Sequence, residues 1–180
     1  MKKIPTVYQR TPNRRGVVDV VTPGCEWVFA GEGIATRKYD GTCVFLTGAR
    51  DYARREVKPG KEPPAGWLEI SIDPVTGKRM GWEPIEQSPW YAQYLAAMLE
   101  PGDYPPGTYE LCGPKINGNP EGLPGHRLLS HARAERIPEL DKPGTDDEVR
   151  AAVLALPWEG VVWHHPDGRM AKLKRRDFTG

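Results

Sequence analysis

The sequence predicts an α+β fold in which short strands predominate and helices are few. Two observations carry that expectation. The 180 residues include 20 glycines and 19 prolines, which cut the chain into short runs joined by defined turns. Between those turns the apolar runs are brief, and only two segments show helical spacing. The length fits one domain, able to bury roughly 70% of its unfolded surface.

Bulk properties narrow the function classes. With 25 Lys+Arg against 24 Asp+Glu the formal net charge is +1, so any nucleic-acid contact must come from local clustering. The 3 cysteines, Cys25, Cys43 and Cys112, form no CxxC pair, and an odd count favours reduced thiols and a cytoplasmic location. The first five residues are basic but no apolar signal region follows. Nowhere do about 18 apolar residues run together, so no membrane partner is expected.

In chain order, residues 16–21 and 26–30 read as strands parted by the turn Thr22-Pro23-Gly24. After a second turn at Gly31-Glu32-Gly33, residues 34–39 and 42–47 read as a pair joined by the Asp40-Gly41 reversal, with Lys38 at a strand end. Residues 49–61 carry Arg50, Arg54, Arg55, Lys58 and Lys61. They read either as a solvated loop or edge strand, or as a phosphate track. Residues 60–66 are irregular, 67–72 a half-buried strand, and 73–77 a turn.

The first helix is expected at 88–99, with Ser88 capping, Pro89 in the first turn, and Tyr91, Leu95, Met98 and Leu99 facing the core. Residues 108–113 read as a strand running into the loop 114–124, a length uncommon unless the loop has a task. Residues 128–131 form a further short strand. A second helix should run from a Thr145 cap to Leu156, with Asp146, Asp147 and Glu148 at the positive end of its dipole. Val149, Ala152, Val153 and Leu156 would face the core. Residues 160–164 and 170–174 flank Pro166-Asp167-Gly168 as a hairpin. No repeat and no domain-separating linker is evident.

An amine such as Lys38, held beside a carboxylate such as Asp40, becomes a nucleophile if its neighbours lower an ordinary pKa of about 10.4. A surface salt bridge beside a turn is the alternative. Glu110 and Glu159 are open in the same way, as strand-edge carboxylates paired with bases or as site groups. His164 and His165 would point to opposite faces of a strand, which argues against zinc there. His126 and His131 show no clear partner spacing.

Taken together, Lys38-Tyr39-Asp40-Gly41, Arg54 with Lys58, Glu110, Glu159-Gly160 and Lys172-Leu173-Lys174 resemble, in order and spacing, the nucleotidyltransferase motifs of the covalent-lysine superfamily. That superfamily comprises ATP-dependent RNA and DNA ligases and messenger-RNA capping enzymes. The resemblance runs from about residue 30 to the end. The strings Tyr109-Glu110-Leu111-Cys112-Gly113, Ile116-Asn117-Gly118-Asn119-Pro120 and Glu159-Gly160-Val161-Val162-Trp163-His164-His165 look most like the RNA ligase 1 branch, in particular the compact ligases related to the vertebrate 5′-3′ RNA ligase.

The resemblance implies a ligase-type adenylyltransferase fold, unrelated to ATP-grasp, of antiparallel sheets with flanking helices, here a single minimal nucleotidyltransferase domain over 1–180. A C-terminal oligonucleotide-binding domain of the kind found in DNA ligases and capping enzymes is not expected. It implies ATP and Mg2+ or Mn2+ as cofactors, and as partner an RNA with 5′-phosphate and 3′-hydroxyl ends, without an obligate protein partner. Lys38 would form lysyl-AMP, Asp40 would position the 3′-hydroxyl, and Lys172 and Lys174 would destabilise the Lys38 ammonium and stabilise charge on the α-phosphate. Arg37, Gly41, Arg54, Lys58 and Glu110 would serve the nucleotide. Leu128, or its neighbour Leu129, would sandwich adenine, and Glu159 would hold the metal. RNA grip would fall to the patches around Arg54 and Arg175-Arg176, aided by Arg14-Arg15. Nucleotidyl transfer to nicked DNA or protein, and a silent RNA-binding module, are the competing readings.

Overall fold

In the computed structural model, which describes residues 3–13 and 15–179, antiparallel sheets account for most of the regular structure. The order is β1 (Tyr8–Arg10), β2 (Val17–Val21), α1 (Trp27–Ala30), β3 (Ile34–Lys38), β4 (Thr42–Leu46), β5 (Asp51–Val57), β6 (Leu68–Ile72), β7 (Arg79–Pro84), α2 (Tyr91–Met98), β8 (Gly107–Cys112), β9 (Arg127–Ser130), α3 (Asp146–Ala155), β10 (Gly160–His164) and β11 (Met170–Lys174), with short 3-10 turns between. All pairings between these strands are antiparallel, so the α+β class holds. No helix among the described residues is long and apolar enough to cross a membrane. Arg14 lies outside the described residues.

The described residues divide into two compact units, Asp40–Arg133 with Lys3, and Ile4–Tyr39 with the residues from Ala134 to Thr179. The second holds a three-stranded sheet in the order β11-β10-β3 and the small pair β1-β2. The β10–β11 hairpin forms as the turn chemistry predicts, with Gly168 at φ 91 in its tip. One face of the sheet carries Ala35, Val161, Trp163, Ala171 and Leu173, each 0% exposed. It packs with Val149 and Val153 of α3 and with Trp27 and Val28 of α1. Helix α3 starts at the expected cap: Thr145 and Glu148 form a reciprocal capping box.

Residues 26–30 are a correction, because the structure places the one-turn helix α1 where the sequence predicts a strand. Trp27 and Val28 are both buried, and a strand would send neighbours to opposite faces. Gly31, at φ 75, closes the turn by donating to the Val28 carbonyl.

The other unit is a six-stranded sheet in the order β6-β7-β5-β4-β8-β9. Its core combines Val44, Leu46, Ala53, Tyr109, Leu111 and Leu128 with Ile85, Tyr94, Ala97 and Ile116. Three expectations fail here. First, β3 and β4 are not a hairpin, since β3 pairs with β10 and β4 with β5 and β8. A two-residue reversal needs left-handed backbone, which neither Asp40 nor Gly41 adopts. Second, the basic stretch is an interior strand, β5, because β7 covers its second edge. Strand β7 escapes sequence reading because Gly81 and Pro84 look like breakers. Gly81 is required there, since a Cβ would lie 2.3 Å from the Trp67 ring.

Third, the buried face of α2 is Tyr94 and Ala97, while Tyr91, Leu95, Met98 and Leu99 are exposed. The helix begins later than predicted, after a turn in which Ser88 Oγ accepts the Trp90 N–H. Tyr94 fills the core with its ring while its hydroxyl donates to the Asp51 carboxylate, so it takes the inward position that the aliphatic stripe would suggest for Leu95.

Candidate active site

The residues singled out from the sequence fall into two groups, one in each unit. In the three-stranded unit, Gly160 lies between Lys38 and Lys174 in the strand register. Residues in one such row project to one face, so Lys38 and Lys174 flank the glycine on the same side. A Cβ on Gly160 would lie 2.1 Å from the Leu173 carbonyl oxygen, so only glycine allows β10 and β11 to approach there. The residue before it, Glu159, receives both amines: Lys38 Nζ lies 2.5 Å from Oε2, and Lys174 Nζ donates to Oε1. Their side chains are 18%, 7% and 12% exposed for Lys38, Glu159 and Lys174.

This arrangement has clear electrostatic consequences. Burial pushes the Glu159 carboxyl up, but the charges and hydrogen bonds of Lys38 and Lys174 outweigh it and hold the group below its ordinary range. Lys174 is held below the ordinary lysine range by burial first and by the Lys38 charge second, against the pull of Glu159. Two amines thus compete for one carboxylate in a poorly hydrated setting. Such a setting lowers the cost of a neutral amine.

Lys172 lies two residues from Lys174 on β11, in the row of Val162 and Thr36, and so shares the face of Lys38. Thr36 Oγ1 donates to the Val162 carbonyl at 3.2 Å and meets His164 Nε2 at 3.0 Å. His165 turns instead to Glu32 and Asp167. Arg37 leaves β3 on the side opposite Lys38, where its guanidinium lies over the Trp158 ring and pairs with Glu135. Arg175 and Arg176 are exposed in the turn after β11, with Arg176 Nη2 3.8 Å from Glu159.

In the six-stranded unit, Asp40 and Gly41 are held by a set of side chains. Glu110 Oε1 accepts the Gly41 N–H at 3.1 Å, and Glu121 accepts the Asp40 N–H at 3.0 Å. Asn117 Nδ2 donates to Asp40 Oδ1 at 2.9 Å and to the Gly41 carbonyl at 3.0 Å. The long loop after β8 does this work. Its fully buried Ile116 anchors it, and left-handed Asn117 and Asn119 shape it. Gly41 is needed for close approach rather than for a turn, since a Cβ would lie 2.3 Å from the Leu111 carbonyl oxygen.

Glu110 also meets His131 Nε2 at 3.0 Å. Arg54 projects from the Glu110 face, because Ala53 and Val44 pair on the core side while Cys43 pairs with Glu110. Arg54 Nε is buried and has no hydrogen-bond partner among the described residues. Lys58 is exposed just beyond β5. Leu128 is buried in the core on the opposite face, whereas Leu129 pairs with Glu110. Sequence reading missed Asn117, Glu121 and His131 as members of this group. Asn117 stood in a string that resembles the RNA ligase 1 branch but was given no role, and for Glu121 the only signal was the length of its loop.

No protein-family model matches the chain. Among curated proteins it is similar to RNA ligase 1 of Pongo abelii, 26% identical over an alignment covering 79% of this chain and 66% of that protein. It is 25% identical to RNA ligase 1 of Mus musculus, over 79% of this chain and 65% of that one. RNA ligase 1 of Rattus norvegicus is also 25% identical, with 79% and 66% covered. The chain thus spans 65–66% of the length of these relatives.

Proposed function

We propose, from the chain's relation to the RNA ligase 1 proteins, that it is an ATP-dependent RNA ligase of nucleotidyltransferase fold that works through Lys38-AMP. The observation that carries this reading is the pairing of Lys38 and Lys174 on the single buried carboxylate of Glu159. In the first step the neutral Lys38 amine attacks the α-phosphorus of ATP. A P–N bond forms, the bond to the β-phosphate bridging oxygen breaks, and pyrophosphate leaves. An oxygen of an RNA 5′-phosphate then displaces the lysine, and a 3′-hydroxyl displaces AMP to close the phosphodiester.

Attack requires the Lys38 ammonium to lose a proton first. Lys174 shares Glu159 with Lys38 and is itself held below the ordinary lysine range, and with Lys172 it supplies cations for the charge that grows on phosphate oxygens. Glu159 offers the hard oxygen donors that suit Mg2+ or Mn2+, and both oxygens already accept an ammonium, so it would hold such an ion through water. The ion would supply further neutralisation of phosphate charge. Arg54 Nε, without a hydrogen-bond partner among the described residues, suits a nucleotide phosphate or ribose oxygen, and exposed Lys58 follows just beyond the same strand. Glu110 is assigned to the ribose side and Asp40 to the 3′-hydroxyl. Leu129 is better placed than core-buried Leu128 for a base contact. The odd count of 3 cysteines suits a reducing cytoplasm.

The test is covalent labelling. Incubation with α-phosphate-labelled ATP and Mg2+ is expected to leave an acid-labile label on the wild type and none on Lys38→Ala. An unlabelled wild type, or equal label on both, sinks the reading.

A further inference from the structure

Outside the lysine cluster, the described residues contain one group of three different metal-ligating side chains: Cys43, Glu110 and His131. We propose that these three form a binding site for a borderline-soft divalent ion of the Zn2+ class. The claim concerns the six-stranded unit alone and stands whether or not the chain is a ligase.

Three elements converge to build it. Cys43 in β4 lies directly opposite Glu110 in β8, so the register sends the thiol and the carboxyl to one face. His131 follows immediately after β9, which flanks β8 on its other side. One ligand atom from each side chain lies within 4.8 Å of the other two, and His131 Nε2 is 3.0 Å from Glu110 Oε2. A tetrahedral ion with bonds of about 2.0–2.3 Å places its ligand atoms about 3.3–3.8 Å apart. Only small side-chain adjustments separate this cluster from that geometry.

The surroundings orient the ligands. Thr108 Oγ1 lies 3.0 Å from His131 Nδ1, which fixes the ring and directs Nε2 toward the cluster, as outer partners of metal-bound histidines do. The Gly41 N–H occupies Glu110 Oε1, which leaves Oε2 for the ion. Cys43 is buried, while the His131 and Glu110 side chains are 25% and 12% exposed. The site therefore has a sheltered thiol and a route for entry. One sulfur, one nitrogen and one oxygen donor favour Zn2+, Co2+ or Cu over Mg2+, which takes oxygen ligands. Three protein ligands also leave a fourth position open.

Titration of the metal-free full chain with Co2+, a spectroscopic substitute for Zn2+, tests this. Wild type is expected to take up one Co2+ with visible bands of a four-coordinate ion and a near-ultraviolet thiolate-to-cobalt band, both abolished by added Zn2+. Cys43→Ser should lose the thiolate band, Cys25→Ser should keep it, and His131→Gln should weaken binding about tenfold or more. Thermal melts by circular dichroism confirm that each variant is folded. As a check that needs no variant, the imidazole resonances of His131 should shift on adding Zn2+ to the wild type. The proposal is overturned by a wild type with no thiolate band at stoichiometric Co2+, by a band that survives in Cys43→Ser, by unchanged affinity in His131→Gln, or by static His131 resonances.

Discussion

Glu159 is the residue on which the lysine cluster depends. It is 7% exposed and accepts two ammoniums, so removing its charge leaves two cations facing each other with little water to screen them. Glu159→Gln keeps the shape and removes the charge. It should lose most adenylylation and cost about 3 kcal/mol of stability at neutral pH, read from urea unfolding. The pH dependence has a definite sign. The folded carboxyl lies below its ordinary range, so its contribution is full above the unfolded value of about 4.3 and is lost as pH falls through the lower folded value. The gap between wild type and Glu159→Gln should therefore be wide at pH 7 and narrow in acid below about pH 4. A gap that is constant across that window would mean that folding leaves the carboxyl's affinity for its proton unchanged.

At the scale of elements, the β10–β11 hairpin sets the spacing of the two amines. Gly160→Ala would push a methyl group to within 2.1 Å of the Leu173 carbonyl oxygen and separate the strands where Lys174 sits. The expected cost is about 1–3 kcal/mol, with a larger proportional loss of adenylylation than of stability. Val161→Ala on the core face is the control, because it should destabilise while sparing the labelling of the folded fraction. Elements of this kind were legible in the sequence because local chemistry dictates them. The Asp167-Gly168 turn and the Thr145–Glu148 capping box act within a few residues, and both are present. The misread elements are those that distant partners decide. Strand β7 exists because β5 and β6 need a neighbour, α1 because Trp27 and Val28 are buried together, and the inward face of α2 because Tyr94 reaches Asp51. The candidate site divides in the same way. Lys38, Glu159 and Lys174 were picked out by motif, whereas Asn117, Glu121 and His131 join their partners only through tertiary contacts.

For the whole molecule, charge balance decides how an RNA would be held. The net charge is +1, and many arginines already face carboxylates, among them Arg50 with Glu86, Arg79 with Glu69, Arg127 with Glu100, Arg136 with Asp141, Arg150 with Asp19 and Arg169 with Asp167. Exposed pairs of this type add little stability, but each cancels a charge that could otherwise attract phosphate. Long-range steering should therefore be weak, and binding should rest on a few local cations such as Lys58 and Arg175. Each phosphate contact to a single strand contributes about −0.7 to the slope of log affinity against log salt. Three or four contacts predict a slope of about −2 to −3 for a 5′-phosphorylated single-stranded RNA, measured by fluorescence anisotropy across a salt series. Lys58→Ala should make the slope shallower by about 0.7. A wild-type slope as steep as −6 would require a continuous basic track, which this distribution of ion pairs does not provide, and would overturn the local-contact account.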